Sequence, residues 1–351
     1  MQSFDSDQTL SNHPSSLESS SQRPPILDRR LFDITHGEEL PNGDAGLFER
    51  LAVEVERTNW TNQEIDLFNQ ALEDMARIHS GDMRGDQRSH VHMLRGAIRL
   101  MSEGEQYFGV RDRPDLVIAY LLHDSVEDFV DRWLSPEQLA GLDLSTREDQ
   151  LLAQQMAFRV IEQRYSKTVP EGYIQEEGDT PEYVDGPSFG TRISQVVEWM
   201  TSEPYPDDLR DGADKVEYQK RKWGRYEMGV RAIYREEDAY GAKLLKTLDI
   251  AENFIGGMRY HEDPRKRAIH ARKYIFLVDT ITRYIASSRI IPEERKLFQI
   301  GRFRSAFEEA KQIISNHIEK YPMDAELFDT SDRETVRVMG RTAIDISPIA
   351  S

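Results

Sequence analysis

Leu121-Leu122-His123-Asp124-Ser125-Val126-Glu127-Asp128 sets four potential metal or proton-transfer groups inside a short apolar segment. Continued as a helix, the stretch puts His123 one turn from Glu127 and Asp124 one turn from Asp128. One face then carries an imidazole and three carboxylates, while Leu122 and Val126 point elsewhere. Carboxylates crowded in this way repel unless something positive sits among them. A divalent cation is the simplest such charge. The alternative is an ordinary acidic helix face with a capping histidine.

Working outward, the chain reads as helical throughout. Thr61-Asn62-Gln63-Glu64 forms a capping box, and Ile65, Phe68, Leu72 and Met75 follow at helical spacing, so an amphipathic helix runs to His79. A docking helix is expected at about 45–57. Further helices are expected near 90–103, 114–130, 136–140, 146–165, 191–201, 215–235, 239–255, 265–288 and 292–320. No strand alternation or internal repeat appears. The fold class is all-α.

The expected organisation is a disordered tail over 1–25, a docking segment over 26–60, a helical domain over 61–320, and an irregular arm over 321–351. The tail is rich in Ser, Gln, Asn and Pro, and buries too little apolar surface to offset ordering entropy. The stretch 166–190 interrupts the domain with prolines, glycines and acids, including Tyr173 and Tyr183, and reads as a mobile surface insertion.

The 351 residues carry 45 basic and 63 acidic side chains, a formal charge of −18, which argues against broad affinity for nucleic acid. A small anion is still admissible, because a metal and a few cations can reverse the field locally. The absence of cysteine excludes disulfides, thiolate metal sites and thiol nucleophiles. No apolar run is long enough for a membrane span, and the first residues lack a signal-peptide pattern, so a cytoplasmic location is expected.

Two further stretches share the chemistry of 121–128. Upstream stand His79-Ser80-Gly81-Asp82-Met83-Arg84 and Arg88-Ser89-His90-Val91-His92, leading into an apolar-periodic run. Far downstream, Lys246-Thr247-Leu248-Asp249-Ile250-Ala251-Glu252-Asn253 places Asp249 and Asn253 one helical turn apart. This ordered series resembles the HD-domain metal phosphohydrolases, and more narrowly the hydrolase domain of the RelA/SpoT family, including its hydrolase-only members. His79, Gly81 and Arg84 match that family's His-x-Gly-x-x-Arg, residues 121–128 its Leu-Leu-His-Asp-x-Val-Glu-Asp, and Lys246, Asp249 and Asn253 its Lys-x-x-Asp-x-x-x-Asn. The resemblance covers most of 61–285. Gly85 stands where the family commonly has lysine, Met93 where it has proline, and Ile250 within its Ala-Asp-Arg/Lys-Leu segment.

The resemblance implies metal ligation by His92, His123, Asp124 and Asp249, with His92 preferred over His90 by its position after Arg84. Mixed nitrogen and oxygen ligation suits manganese, with iron, zinc or magnesium as alternatives. It implies that Glu127 and Asp128 orient or deprotonate water. Arg84, Lys246, Asn253 and Thr201 would contact substrate, each having a structural alternative as a solvated cap, a carboxylate partner, a helix amide or a helix end. The cations Lys220, Arg221, Lys222, Arg225, Arg231 and Arg235 spread around one helix and read as a salt-bridged face. Tyr274, Trp199 and Trp223 read as core, rim or interface aromatics.

The activity implied is hydrolysis of guanosine 3′,5′-bis(diphosphate) at its 3′-diphosphate, with an anionic nucleotide as the partner and neither nucleic acid nor membrane. The loss of a cation at Gly85 implies a weakened dependence on the 5′-phosphates. No stretch after the last helix suits a nucleotidyl-transfer module, so synthesis is not expected. The alternatives are an HD phosphohydrolase for another nucleotide or phosphate ester, and a non-catalytic HD-type binding protein.

Overall fold

The helices that carry these motifs close around one nine-residue segment. The structure is a computed structural model that describes residues 46–80, 83–84, 87–104, 107–166, 173–175, 182–184, 187–205, 212–237 and 239–328. The expected tail, the first part of the docking segment, Gly85 and the arm beyond 328 lie outside the described residues.

Helix α1 (Leu47–Glu56) follows Gly46, whose φ of +82° suits glycine. Helix α2 (Asn62–Ile78) opens on the expected capping box: Thr61 Oγ1 accepts from the Glu64 amide at 3.2 Å, and the Glu64 carboxylate accepts from the Thr61 amide at 2.7 Å. Helix α3 (Ser89–Met101) packs on α1, and α4 (Pro114–Leu122) packs on both α2 and α3. Every residue of α4 is buried, as its nearly unbroken apolar sequence requires. Its lone acid, Asp115, sits at the N-terminus, where Arg113 (3.0 Å) and Arg192 (3.3 Å) neutralise it. Burial alone would raise its carboxyl, but the two guanidiniums hold it below the usual range.

Short helices α5 (Ser125–Phe129) and α6 (Pro136–Leu139) lead to α7 (Arg147–Tyr165), which packs along α8 (Phe189–Met200). Helix α9 (Lys215–Arg235) precedes α10 (Tyr240–Ala251), whose end widens into a π turn at Glu252–Gly256 before α11 (Gly257–Tyr260). Helices α12 (Pro264–Tyr274), α13 (Val278–Ser287) and α14 (Glu293–Lys320) complete the wall, and α15 (Ala325–Phe328) folds back on α9. Helix α4 thus touches α2, α3, α8 and α10, and one apolar core runs from Leu47 to Phe328.

The all-α class stands, with four local differences. The expected helix over 114–130 bends at His123-Asp124, because side chains there capture the carbonyls of the preceding turn. Ser125 Oγ donates to the Leu122 carbonyl at 2.5 Å, and His123 Nδ1 contacts the Tyr120 carbonyl at 2.7 Å. The expected helix over 265–288 is likewise divided, by a 3₁₀ turn at Ile275–Leu277. Two small antiparallel ribbons appear where no strand was expected: β1 (Met83–Arg84) with β2 (Gln87–Arg88), and β3 (Tyr173–Gln175) with β4 (Glu182–Val184) inside the 166–190 insertion. The arm begins ordered, since Phe328 is buried with its ring 4.7 Å from His317 and 6.3 Å from Trp223. Trp223 is a buried anchor as expected, whereas Trp199 is 39% exposed.

Gly96 in α3 determines how closely α4 approaches. A Cβ there would lie 1.9 Å from the Tyr120 ring, inside any real contact, so only glycine admits this tyrosine. The Tyr120 ring in turn lies tilted against those of His123, 4.7 Å away, and His92, 6.2 Å away. Gly96→Ala is therefore expected to destabilise the fold by about 1–3 kcal/mol, as overpacking does. Chemical denaturation will measure this, and adding Tyr120→Leu should recover part of the loss.

Candidate metal centre

Three helices deliver the cluster. His92 projects from α3, His123 from the bend after α4, and Asp249 from the last turn of α10; one donor atom from each lies within 4.8 Å of the others. His92 Nε2 is 3.3 Å from Asp249 Oδ1, and His123 Nε2 is 3.7 Å from the same oxygen. The α3–α10 approach is fastened a second time by the Arg99–Glu252 ion pair, two turns beyond His92 and one beyond Asp249.

Each imidazole presents Nε2 to the cluster. For His123 the reason is local: the bond from Nδ1–H to the Tyr120 carbonyl orients the ring and turns Nε2 toward the cluster. Nε2 of both His92 and His123 is buried and makes no well-formed hydrogen bond, although a carboxylate oxygen stands within 3.7 Å of each. Buried polar atoms are normally paired. Two imidazole nitrogens aimed at a shared carboxylate are a donor set that suits a divalent ion.

Electrostatics favour positive charge here. Burial works against an ionised Asp249, but the Lys246 ammonium 3.1 Å from Oδ2, together with His123 and His92, holds its carboxyl well below the usual range. Burial likewise opposes a charged His123, yet Asp124 and Asp249 raise its pKa to about 10. Lys246 is buried too, and Asp249, Glu127 and Asp124 push its pKa up despite the desolvation.

Asp124 joins through His123, its Oδ1 3.0 Å from Nε2, and stands outside the group of three mutually close donors. Glu127 and Asp128 are exposed, in the first turn of α5. Glu127 accepts the Ser202 amide at 3.0 Å, which ties the loop after α8 to the cluster. Asn253 lies in the π turn and donates to Asp249 twice, at 2.5 Å to Oδ1 and 3.0 Å to the main-chain carbonyl. Of the two roles open to Asn253 and Lys246, the geometry supports holding Asp249. Thr201 spends its hydroxyl on the Val197 carbonyl at 2.8 Å, an ordinary helix-end bond. Arg84 lies in β1, and its side chain and that of His90 are outside the described residues. His79 is a buried cap of α2 against the edge of Phe129.

A second wall was not anticipated. The α12 residue Lys273 places its ammonium 4.1 Å over Tyr226 and 5.0 Å from Tyr274. No carboxylate lies within ion-pair distance of it among the described residues. Burial and the neighbouring Lys246 lower its pKa to about 8, against the pull of Asp249 and Glu127. Lys222 lies 4.9 Å over Tyr205, a tyrosine pushed up to about 12 by burial and then by Glu127. Lys220, Arg221, Arg225 and Arg231 are salt-bridged as expected, to Glu326, Glu217, Glu203 and Glu227, whereas among the described residues Lys222 and Arg235 form no ion pair. Sequence offered one hint of Lys273, its place beside Tyr274.

Compared with models of protein families, with curated proteins and with solved structures, the chain matches none.

Metal retention should require Asp249 and not Asn253: elemental analysis is expected to find no metal in Asp249→Ala and weakened retention in Asn253→Ala. Without its partner Lys246 is a buried uncompensated charge, so Asp249→Ala should also cost about 3–5 kcal/mol of stability. A second expectation concerns pH. The folded pKa of His123 lies above its unfolded value of 6.5, so the metal-free protein gains stability from it below 6.5 and loses that as pH rises through about 10. Coordination needs the same nitrogen deprotonated. Apparent metal affinity should therefore climb about tenfold per pH unit up to about 10, readable by titration calorimetry as one proton released per ion.

Proposed function

We propose that the chain is a metal-dependent phosphohydrolase acting on guanosine 3′,5′-bis(diphosphate). Water attacks the 3′-diphosphate, the bond from phosphorus to the 3′ oxygen breaks, and that oxygen takes a proton. The products are guanosine 5′-diphosphate and pyrophosphate. One observation carries this reading: two buried imidazole nitrogens and a buried carboxylate form a ligand set beside two ammonium groups poised over tyrosines. The ligand set calls for a divalent ion, and the ammonium groups call for an anion.

His92, His123 and Asp249 would hold the ion, with Asp124 completing the set; manganese is the expected metal, with iron, zinc or magnesium as alternatives. Such an ion acidifies bound water and polarises a phosphoryl oxygen. Lys246 and Asn253 position Asp249. Glu127 is fixed through one oxygen by the Ser202 amide, which orients its other oxygen to accept the proton of water. Asp128, its exposed neighbour, is the second candidate for that step. Lys273 and Lys222 hold the phosphate oxygens that the ion does not reach, Lys273 being the better placed because burial strengthens its field. These two cations take up the role that Gly85 leaves open, and Arg84 is a third cation that the resemblance implies.

A purified-protein screen with manganese tests the reading. The panel should hold guanosine bis-diphosphates, nucleoside triphosphates, deoxynucleotides and cyclic nucleotides. Release of pyrophosphate from the 3′-diphosphate is the expected result. Hydrolysis of another nucleotide, with none at any 3′-diphosphate, would replace the substrate but keep the chemistry, and silence across the panel would support a binding protein. Glu127→Gln should keep the metal and lose turnover, since the amide retains shape but accepts no proton; equal metal loss with Asp124→Ala would refute that role.

Lys273→Gln removes one charge-assisted hydrogen bond, worth about 1.5–3 kcal/mol. It should raise KM by about one to two powers of ten with metal content unchanged. An unaltered KM would remove Lys273 from the site.

A further inference from the structure

The chain leaves α8 at Thr201 in an extended conformation, with ψ of 128°, and the next four residues form a strap. Each is held by α7 or α9. The Ser202 carbonyl accepts from Gln154 Nε2 of α7 at 3.2 Å, and Gln154 is buried. One oxygen of Glu203 receives two guanidiniums, Arg147 of α7 at 3.1 Å and Arg225 of α9 at 3.2 Å. The Pro204 carbonyl accepts from Nε of the same Arg147 at 3.2 Å. Tyr205 lies under the Lys222 ammonium of α9, 4.9 Å from its ring centre.

One group is delivered by this arrangement. The Ser202 amide donates to Glu127 Oε2 at 3.0 Å, across 75 residues of sequence. Glu127 stands exposed on a helix of five residues, and an exposed glutamate has much rotamer freedom to lose when it is fixed. Tyr205 faces the same carboxylate, since burial first and Glu127 next push its phenol up. Isolated ion pairs at a surface hold little. Here two arginines from different helices meet on one oxygen, and Arg147 also caps the following carbonyl, so Glu203 joins α7 to α9 through the strap.

We propose that Ser202–Tyr205 is a positioning strap, in which Arg147, Gln154, Glu203 and Arg225 hold the Ser202 amide where it fixes the Glu127 carboxylate beside the metal centre. This rests on the role given to Glu127 above and deepens it: the strap assigns the proton-accepting step to Glu127 rather than to Asp128. Glu203 is a positioning residue that acts through an amide, at the junction of two helices that carry no metal ligand.

Two measurements on the full-length protein test it. Hydrogen exchange reads the contact without any reaction. The Ser202 amide should exchange about tenfold faster in Glu127→Ala and about threefold faster or more in Glu203→Gln, with thermal unfolding unchanged. Kinetics on the 3′-diphosphate substrate read the role. Glu203→Gln should lower kcat about three- to tenfold and leave KM and metal content as they are. In Glu127→Asp, which keeps a carboxylate but no longer reaches the amide, the same substitution should change nothing further. Ser202 exchange indifferent to Glu127→Ala would overturn the proposal. So would an unaltered kcat in Glu203→Gln, or a loss of equal size in the Glu127→Asp background. If the screen finds no hydrolysis, the reaction proposed above falls first, and exchange alone decides whether the strap holds Glu127.

Discussion

Asp249 is a carboxylate buried at the meeting of three helices, and the arrangement around it follows from how that charge is accommodated. An ionised carboxylate inside protein is tolerated only when paired and hydrogen-bonded. Lys246, one turn earlier on α10, supplies the charge, and Asn253, one turn later, supplies the hydrogen bonds. Asn253 lies in a π turn, a widening often found at functional sites. With both partners drawn from its own helix, Asp249 can face α3 and α4 with Oδ1 directed at two imidazoles. The ion pair of Arg99 with Glu252 holds α10 against α3 at that spacing.

Much of this was legible in the sequence, and the reasons differ by element. The boundaries of α2 were readable because a capping box is a local signal written in four residues. Helix α4 was readable because an apolar run that long cannot face water. The bend at His123 was not, since it depends on where Ser125 and His123 send their hydrogen bonds, a choice between neighbours of equal propensity. His92, His123 and Asp249 could be grouped from motif order; their meeting in space is long-range, and periodicity alone could not show it. Lys273 escaped notice because nothing in Arg272-Lys273-Tyr274 says which side chain turns inward. Only the packing of α12 beside α9 puts its ammonium over Tyr226.

The acidic balance of the chain and the ammonium groups beside the cluster are compatible because fields inside low-dielectric walls are set by the nearest charges. Exposed acids account for the overall sign, and salt screens them over about 8–10 Å. Lys222 and Lys273 act at shorter range beside the cluster.

Gly96 and Tyr120 have a consequence for how this sequence can drift. A side chain at 96 and the ring at 120 claim the same volume, so neither position is free to vary while the other stays fixed. Enlarging the first is permissible only after shrinking the second, and shrinking the second unpacks the rings of His92 and His123. Among descendants of this chain the two positions should therefore change together or not at all, a covariation imposed by steric exclusion rather than by any bond between them.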